Sequence, residues 1–326
     1  LSLINYFDRS WLDYSPLFVD NLPLSYNLNV NLTKEFFVNL KLDPASCKEY
    51  KIQAAIKCIE SLGENIALCI SGGVDSQAML NCFIESGVKF TPYVFVFNND
   101  LNKFDVDQAR KYCTDHFVSL IEIPFNVLQF LNRENYDLGI KYKSASPHFN
   151  VHYKFCDILK EKGHTGVCFG GMTPYKSRGN WGGNFVRNSF NYIQYAELSQ
   201  FPVQGSFLSF YPELAWAIAL LTPTTDIDVA VKINNWRETE LTHNVRYANK
   251  VLGYHRAGLD INESKKSTGF ELVKEYYSKL TSDNWAFEKQ FRVPLEKEIT
   301  KNSDIISSFI FQEGVEEILS DIRLKH

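Results

Sequence analysis

The stretch Ile66–Met79, IALCI followed by SGGVDSQAM, constrains this chain more than any other. Ile66 to Ile70 is a short apolar run of the kind shown by a strand buried on both faces, and it stops at Ser71-Gly72-Gly73. Ala78, Met79, Cys82 and Phe83 then recur at one-face helical spacing, and Gly87 stands where a helix-ending glycine belongs. Two glycines therefore fall between a buried strand and a helix N-terminus. Such a junction suits a phosphate: residues without Cβ let backbone N–H groups converge, and the helix adds unpaired donors and the positive end of its dipole. An ordinary βα turn is the other reading of the same residues.

The commoner phosphate loops are missing. Neither GxxxxGK followed by Ser or Thr nor GxGxxG occurs, so there is no P-loop lysine. Ser71-Gly72-Gly73-Val74-Asp75-Ser76 reads SGGxDS and resembles the pyrophosphate loop of the N-type ATP pyrophosphatases, the PP-loop family. That family includes asparagine, GMP and NAD synthetases, tRNA-modifying enzymes and, with a related loop, PAPS reductases. The resemblance implies an adenine nucleotide α-hydrolase-like fold, ATP cleaved between its α and β phosphates, and Mg²⁺ near Asp75. It also implies that Ser71 to Ser76 hold pyrophosphate, that Phe97 and Asn98 at the end of a second strand meet adenine, and that Gly170-Gly171 meet ribose or phosphate. The alternatives are a solvated loop for Asn98, Asn99 and Asp100, and for Asp75 a helix-start carboxylate that satisfies backbone donors. Residues 64–171 carry the resemblance, and within them only SGGVDS is specific.

The surroundings alternate β and α, the mark of a parallel sheet. Ser46-Cys47-Lys48-Glu49 reads as a capping box that opens a helix with an Ile52, Ala55, Ile56, Ile59, Leu62 stripe ending at Gly63. Further strands are expected at Tyr93–Phe97, Leu120–Ile123 and Gly166–Phe169, with helices around Val106–Cys113, from Phe125 to Asn135, and from Ser146-Pro147 to Gly163. The expected fold is α/β, a parallel sheet with helices on both faces. Residues 1–45 read as a β-rich extension, whose strands around Leu28–Leu32 and Val38–Leu42 form a hairpin turning near Lys34. Residues 46–205 read as the ATP-binding domain and 206–326 as a helical region, with helices from Pro212 to Leu221 and over 237–252, 270–280 and 314–324.

Between Met172 and Ser206 the periodicity breaks, and basic residues lie among glycines and aromatics. The segment reads as a lid. An α-phosphorus under attack gathers negative charge, and since the loop carries no lysine, Lys176 and Arg178 are the candidate catalytic cations. Arg187 lies farther along; Lys265, Lys266 and Arg292 come next if these fail.

Composition narrows the function. The net charge of −4 gives no sign of a broad nucleic-acid surface, and no apolar run approaches the ~20 residues of a membrane span. With no basic, apolar leader at Leu1–Asp8, the expected location is cytoplasmic. Seven cysteines fall mostly in apolar patterns, as buried free thiols do; no two are three apart and none follows Cys168. That spacing counts against zinc and sulfur chemistry, with Cys113 and Cys168 as the one candidate separated pair. The expected function is an ATP-dependent, AMP-forming ligase or modifying enzyme: an oxygen of a small-molecule or nucleobase acceptor is adenylated, pyrophosphate leaves, and an amine displaces AMP. A PAPS reductase-like or thiol-transfer enzyme and a non-catalytic ATP- or AMP-binding module are the alternatives.

Overall fold

In the computed structural model, which describes residues 12–19, 22–171, 173–177, 180–182, 184–223, 240–262, 269–299, 310–311 and 314–323, a hairpin joins β1 (Leu12–Val19) to β2 (Leu22–Val30). This hairpin lies N-terminal to the expected one. The stretch read as the turn and the start of its second strand is instead α1 (Lys34–Asn39), and Leu40–Leu42 beyond it form no strand, because Thr33 caps the helix: the Thr33 hydroxyl accepts from Phe36 N at 3.3 Å. Phe37 is buried and Val38 exposed, an alternation that one helical turn and a strand both produce. The next helix, α2 (Pro44–Leu62), also starts earlier than expected. Asp43, not Ser46, is its cap, accepting from Ala45 N and Ser46 N at 3.1 Å with Pro44 at the first helical position.

The loop-bearing unit follows: β3 (Ile66–Cys69), α3 (Val74–Ser86), β4 (Thr91–Phe97), α4 (Lys103–Asp115) and β5 (Ile121–Phe125). The expected single helix after β5 is two short ones, α5 (Val127–Arg133) and α6 (Asn135–Lys141), and α7 (Pro147–Glu161) then leads into β6 (Gly166–Phe169). The segment from Met172 to Ser206 is not irregular throughout. It contains a short antiparallel pair, β7 (Tyr175–Ser177) and β8 (Asn180–Gly182), then α8 (Asn184–Ser199), and β9 (Val203–Gln204), which the sequence reading missed because two residues are too few to show a period.

The main sheet is all parallel, in the order β5-β4-β3-β6-β9. Its two faces sort by parity. Ala67, Cys69, Tyr93, Phe95, Phe97, Val167 and Phe169 pack in one core with Val151, Phe155 and Leu159 of α7. Ile66, Leu68, Ile70 and Cys168 pack in another with α2 and α3, which explains the unbroken apolar run. This is a doubly wound α/β fold, a parallel sheet with helices on both faces. The chain order reverses between β3 and β6, so the crevice for a ligand opens at their carboxyl ends. Beyond the sheet come α9 (Pro212–Leu221) and helices at Glu240–Arg256, Gly269–Thr281, Val293–Glu298 and Val315–Arg323, and Ile310–Phe311 pairs in parallel with β2. Among the described residues no helix is long and apolar enough to cross a membrane.

Candidate functional site

The loop after β3 is closed by its own serines. Buried Ser76 accepts from Ser71 N at 3.2 Å through its hydroxyl, which also lies 3.0 Å from the Ser71 hydroxyl. Gly73 caps α3 without a side-chain bond, so the N–H groups of the first turn, Val74 to Ser76, have no acceptor within the helix. Gly72 has φ +70°, and a Cβ there would lie 2.2 Å from the Asp105 carbonyl of α4. Gly170, at the end of β6, supports the loop from behind: a Cβ would come within 2.5 Å of the Asp75 carbonyl oxygen. The loop and Gly170 thus meet where neighbouring parallel strands end together, as expected. Gly171 turns the chain away at φ +71° against Ser206, and Gly170 O accepts from Leu208 N at 3.0 Å.

Phe97 is buried at the end of β4, its N–H donating to Asn102 Oδ1 at 2.8 Å. Asn98 opens a single 3-10 turn, with Asn99 and Asp100 exposed at φ 58° and 55°. The Asn98 Oδ1 atom is buried without a hydrogen-bond partner.

Asp75 is engaged from far along the chain. Lys250 Nζ sits 2.5 Å from its Oδ1 and 2.6 Å from its Oδ2, and the Tyr254 hydroxyl donates to Oδ1 at 2.5 Å. Lys250 and Tyr254 are one helical turn apart on Glu240–Arg256, so both reach the same carboxylate. Burial first, and then the charge of Asp75, push the Tyr254 phenol well above its ordinary range, which keeps it a donor; Thr173, just past Gly171, bonds the same hydroxyl. The chain leaving this helix is strapped across α3 and α4. Lys51, buried on α2, pairs with Glu85 at 2.7 Å and also bonds Gly258 O. Gln77 links loop and strap, donating to Gly72 O at 2.7 Å and accepting from Asn262 N at 2.7 Å. Tyr112 donates to Asp260 O at 2.5 Å.

Lys250 is the cation that sequence reasoning missed. A lysine one turn before a tyrosine marks a helix face, and nothing in it names Asp75, 175 residues away. Of the cations expected instead, Lys176 lies on β7 with its side chain outside the described residues, as does that of Arg187 on α8; Arg178, Lys265 and Lys266 lie outside the described residues altogether. Arg292 pairs with Glu296 at 2.6 Å. All seven cysteines are free and buried. Cys168 has Cys58 3.7 Å away, and burial pushes the Cys113 thiol up to about 11.

No family model matches the sequence, and no curated protein does. Among solved structures, the chain is similar to the U34-tRNA thiolase NcsA from Methanococcus maripaludis with its 4Fe-4S cluster, at 13% identity and a TM-score of 0.36 over 84% of each chain. It is also similar to NMN synthetase from Francisella tularensis, at 11% identity and a TM-score of 0.33 over 68% of this chain and 99% of that one. At these identities and scores no residue role or activity carries across. What the chain shares with a known family is SGGVDS, standing between β3 and α3 at the switch point of the sheet. The chain resembles the PP-loop family in loop and sheet alike.

Proposed function

We propose that this chain is an ATP-dependent, AMP-forming ligase or modifying enzyme. The observation that carries the reading is Lys250 held on Asp75 beside the unpaired N–H groups of the PP-loop: the loop has no lysine, and a distant helix brings one to it. In this reading Ser71 to Ser76 receive pyrophosphate, Gly170 backs them, and the Phe97-Asn98 turn meets adenine. The acceptor oxygen forms a bond to the α-phosphorus as the bond to the bridging oxygen breaks and pyrophosphate leaves. An amine then displaces AMP. Lys250 offsets the charge gathering on the phosphates, and Tyr254 with Thr173 holds Asp75 in place between those events. Lys176, on β7, and Arg178 stay in the proposal as lid cations.

Asp75 is a single half-buried carboxylate, which suits Mg²⁺ carried in on the phosphates, the usual way a protein holds that ion. Bound there, Mg²⁺ would neutralise phosphate oxygens. The thiol-transfer reading finds less support, since a reactive cysteine needs an accessible site and a lowered pKa, whereas these thiols are buried and burial pushes those of Cys47 and Cys113 up. In the same proposal residues 46–205 form the ATP-binding domain, with 1–45 as an extension and 206–326 as the helical region that completes the site. Incubation with Mg²⁺, α-labelled ATP and candidate acceptors tests it. Label in AMP with matching pyrophosphate is expected; label in ADP would overturn it.

A further inference from the structure

We propose that the acceptor is a flat, uncharged ring bearing a carbonyl group, held at the carboxyl edge of the sheet by Phe270, His148 and His152; this rests on the AMP-forming reading above. Phe97 ends β4 and Phe169 ends β6, on either side of the strand that carries the loop. Helix α7 starts at that edge and brings His148 and His152 one turn apart, and the Gly269–Thr281 helix brings Phe270 in its first turn. The Phe270 ring stands 4.6 Å from His148 and 6.1 Å from Phe97, steeply inclined to both. His148 lies 4.5 Å from His152, which is stacked on Phe169 at 5.1 Å and 22°. The set is layered by exposure: Phe169 and Tyr192 are buried, His152 and Phe270 half-buried, and His148 exposed. Its outer rings are therefore partly open to solvent.

The polar atoms of this wall choose the ligand. Tyr192 OH lies 2.5 Å from His152 Nδ1. A phenol is the stronger acid and an imidazole nitrogen the stronger base, so the hydroxyl donates and the imidazole proton resides on Nε2. Enclosure by the rings, reinforced by His148, holds His152 well below the usual histidine range, and it stays neutral at pH 7. A neutral N–H offers one hydrogen bond to a carbonyl and no countercharge to a carboxylate or phosphate. The rings supply stacking faces, which favour planar partners. A ring carbonyl is also among the oxygens that can be adenylated next to the loop.

Saturation-transfer NMR on the full chain, with Mg²⁺ and saturating α,β-methylene-ATP, tests the inference with uracil and 5,6-dihydrouracil, which share their carbonyls but differ in planarity. Uracil should bind at least ~10-fold more tightly than dihydrouracil, and Phe270→Leu should weaken uracil at least ~5-fold, as loss of about one stacking contact would. His152→Phe, which keeps a ring and removes the donor, should weaken uracil, and His152→Gln, which keeps a donor, should recover part of the loss. Equal binding of the two probes, binding of neither while the nucleotide binds, or wild-type uracil affinity in folded Phe270→Leu would overturn the proposal. If His152→Phe does not fold, Phe270→Leu decides. Failure of the ATP analogue itself to bind would instead overturn the adenylation reading beneath it.

Discussion

Asp75 opens α3, yet the partners of its charge come from a distant helix. Both its oxygens face Lys250, and Tyr254 adds a third contact. A carboxylate whose only task was to satisfy the helix start would not need a lysine from so far along the chain. Asp75→Asn keeps the shape and removes the charge, so turnover should vanish while the melting temperature stays near that of the wild type. Unchanged pyrophosphate release would remove Asp75 from the chemistry. His152 makes a second residue-scale prediction. Its folded pKa is lowered, so as pH falls below about 6.5 the unfolded state takes up a proton that the folded state refuses, and stability drops by up to about 1.4 kcal/mol per pH unit. Urea unfolding at pH 5.5 and 7.5 should show a smaller loss for His152→Phe than for the wild type; an identical loss would mean that His152 titrates normally.

At the scale of elements, the loop is held by close approach on one side and by a strap on the other. Gly170→Ala would drive a Cβ to 2.5 Å from the Asp75 carbonyl, so the loop must shift. Overpacking of this kind costs about 1–3 kcal/mol, and nucleotide affinity should fall with it. Calorimetric titration with α,β-methylene-ATP checks this, and wild-type affinity would mean that the β6 turn does not support the site. Lys51→Met would leave Glu85 without its partner and free the Gly258 carbonyl. A loss of about 3 kcal/mol is expected in denaturant unfolding. These elements were unevenly legible in the sequence. β6 and the start of α7 could be read to the residue, and β3 to within one, because apolar runs and an N-cap followed by proline are local signals. The hairpin was misplaced because Thr33 and Asp43 cap helices that short alternations also fit as strands. β9 could not be read from a two-residue pattern, since pairing with β6 defines it.

At the scale of the whole molecule, the site is shared between parts of the chain that sequence order separates. SGGVDS and Gly170-Gly171 were legible because their chemistry lies in local backbone needs. Lys250 was not, because its meaning comes from the packing of the Glu240–Arg256 helix against α9, which lets Tyr254 reach Asp75 and the strap at Asn262 reach Gln77 of α3. The same packing makes one result decisive. Pyrophosphate release from α-labelled ATP, measured alongside labelled AMP for wild-type chain and for Lys250→Met, should show at least a ~10-fold lower rate in the variant, about 1.4 kcal/mol of lost transition-state stabilisation, with the fold intact. Wild-type rates in Lys250→Met, or label appearing in ADP from either protein, would contradict the account.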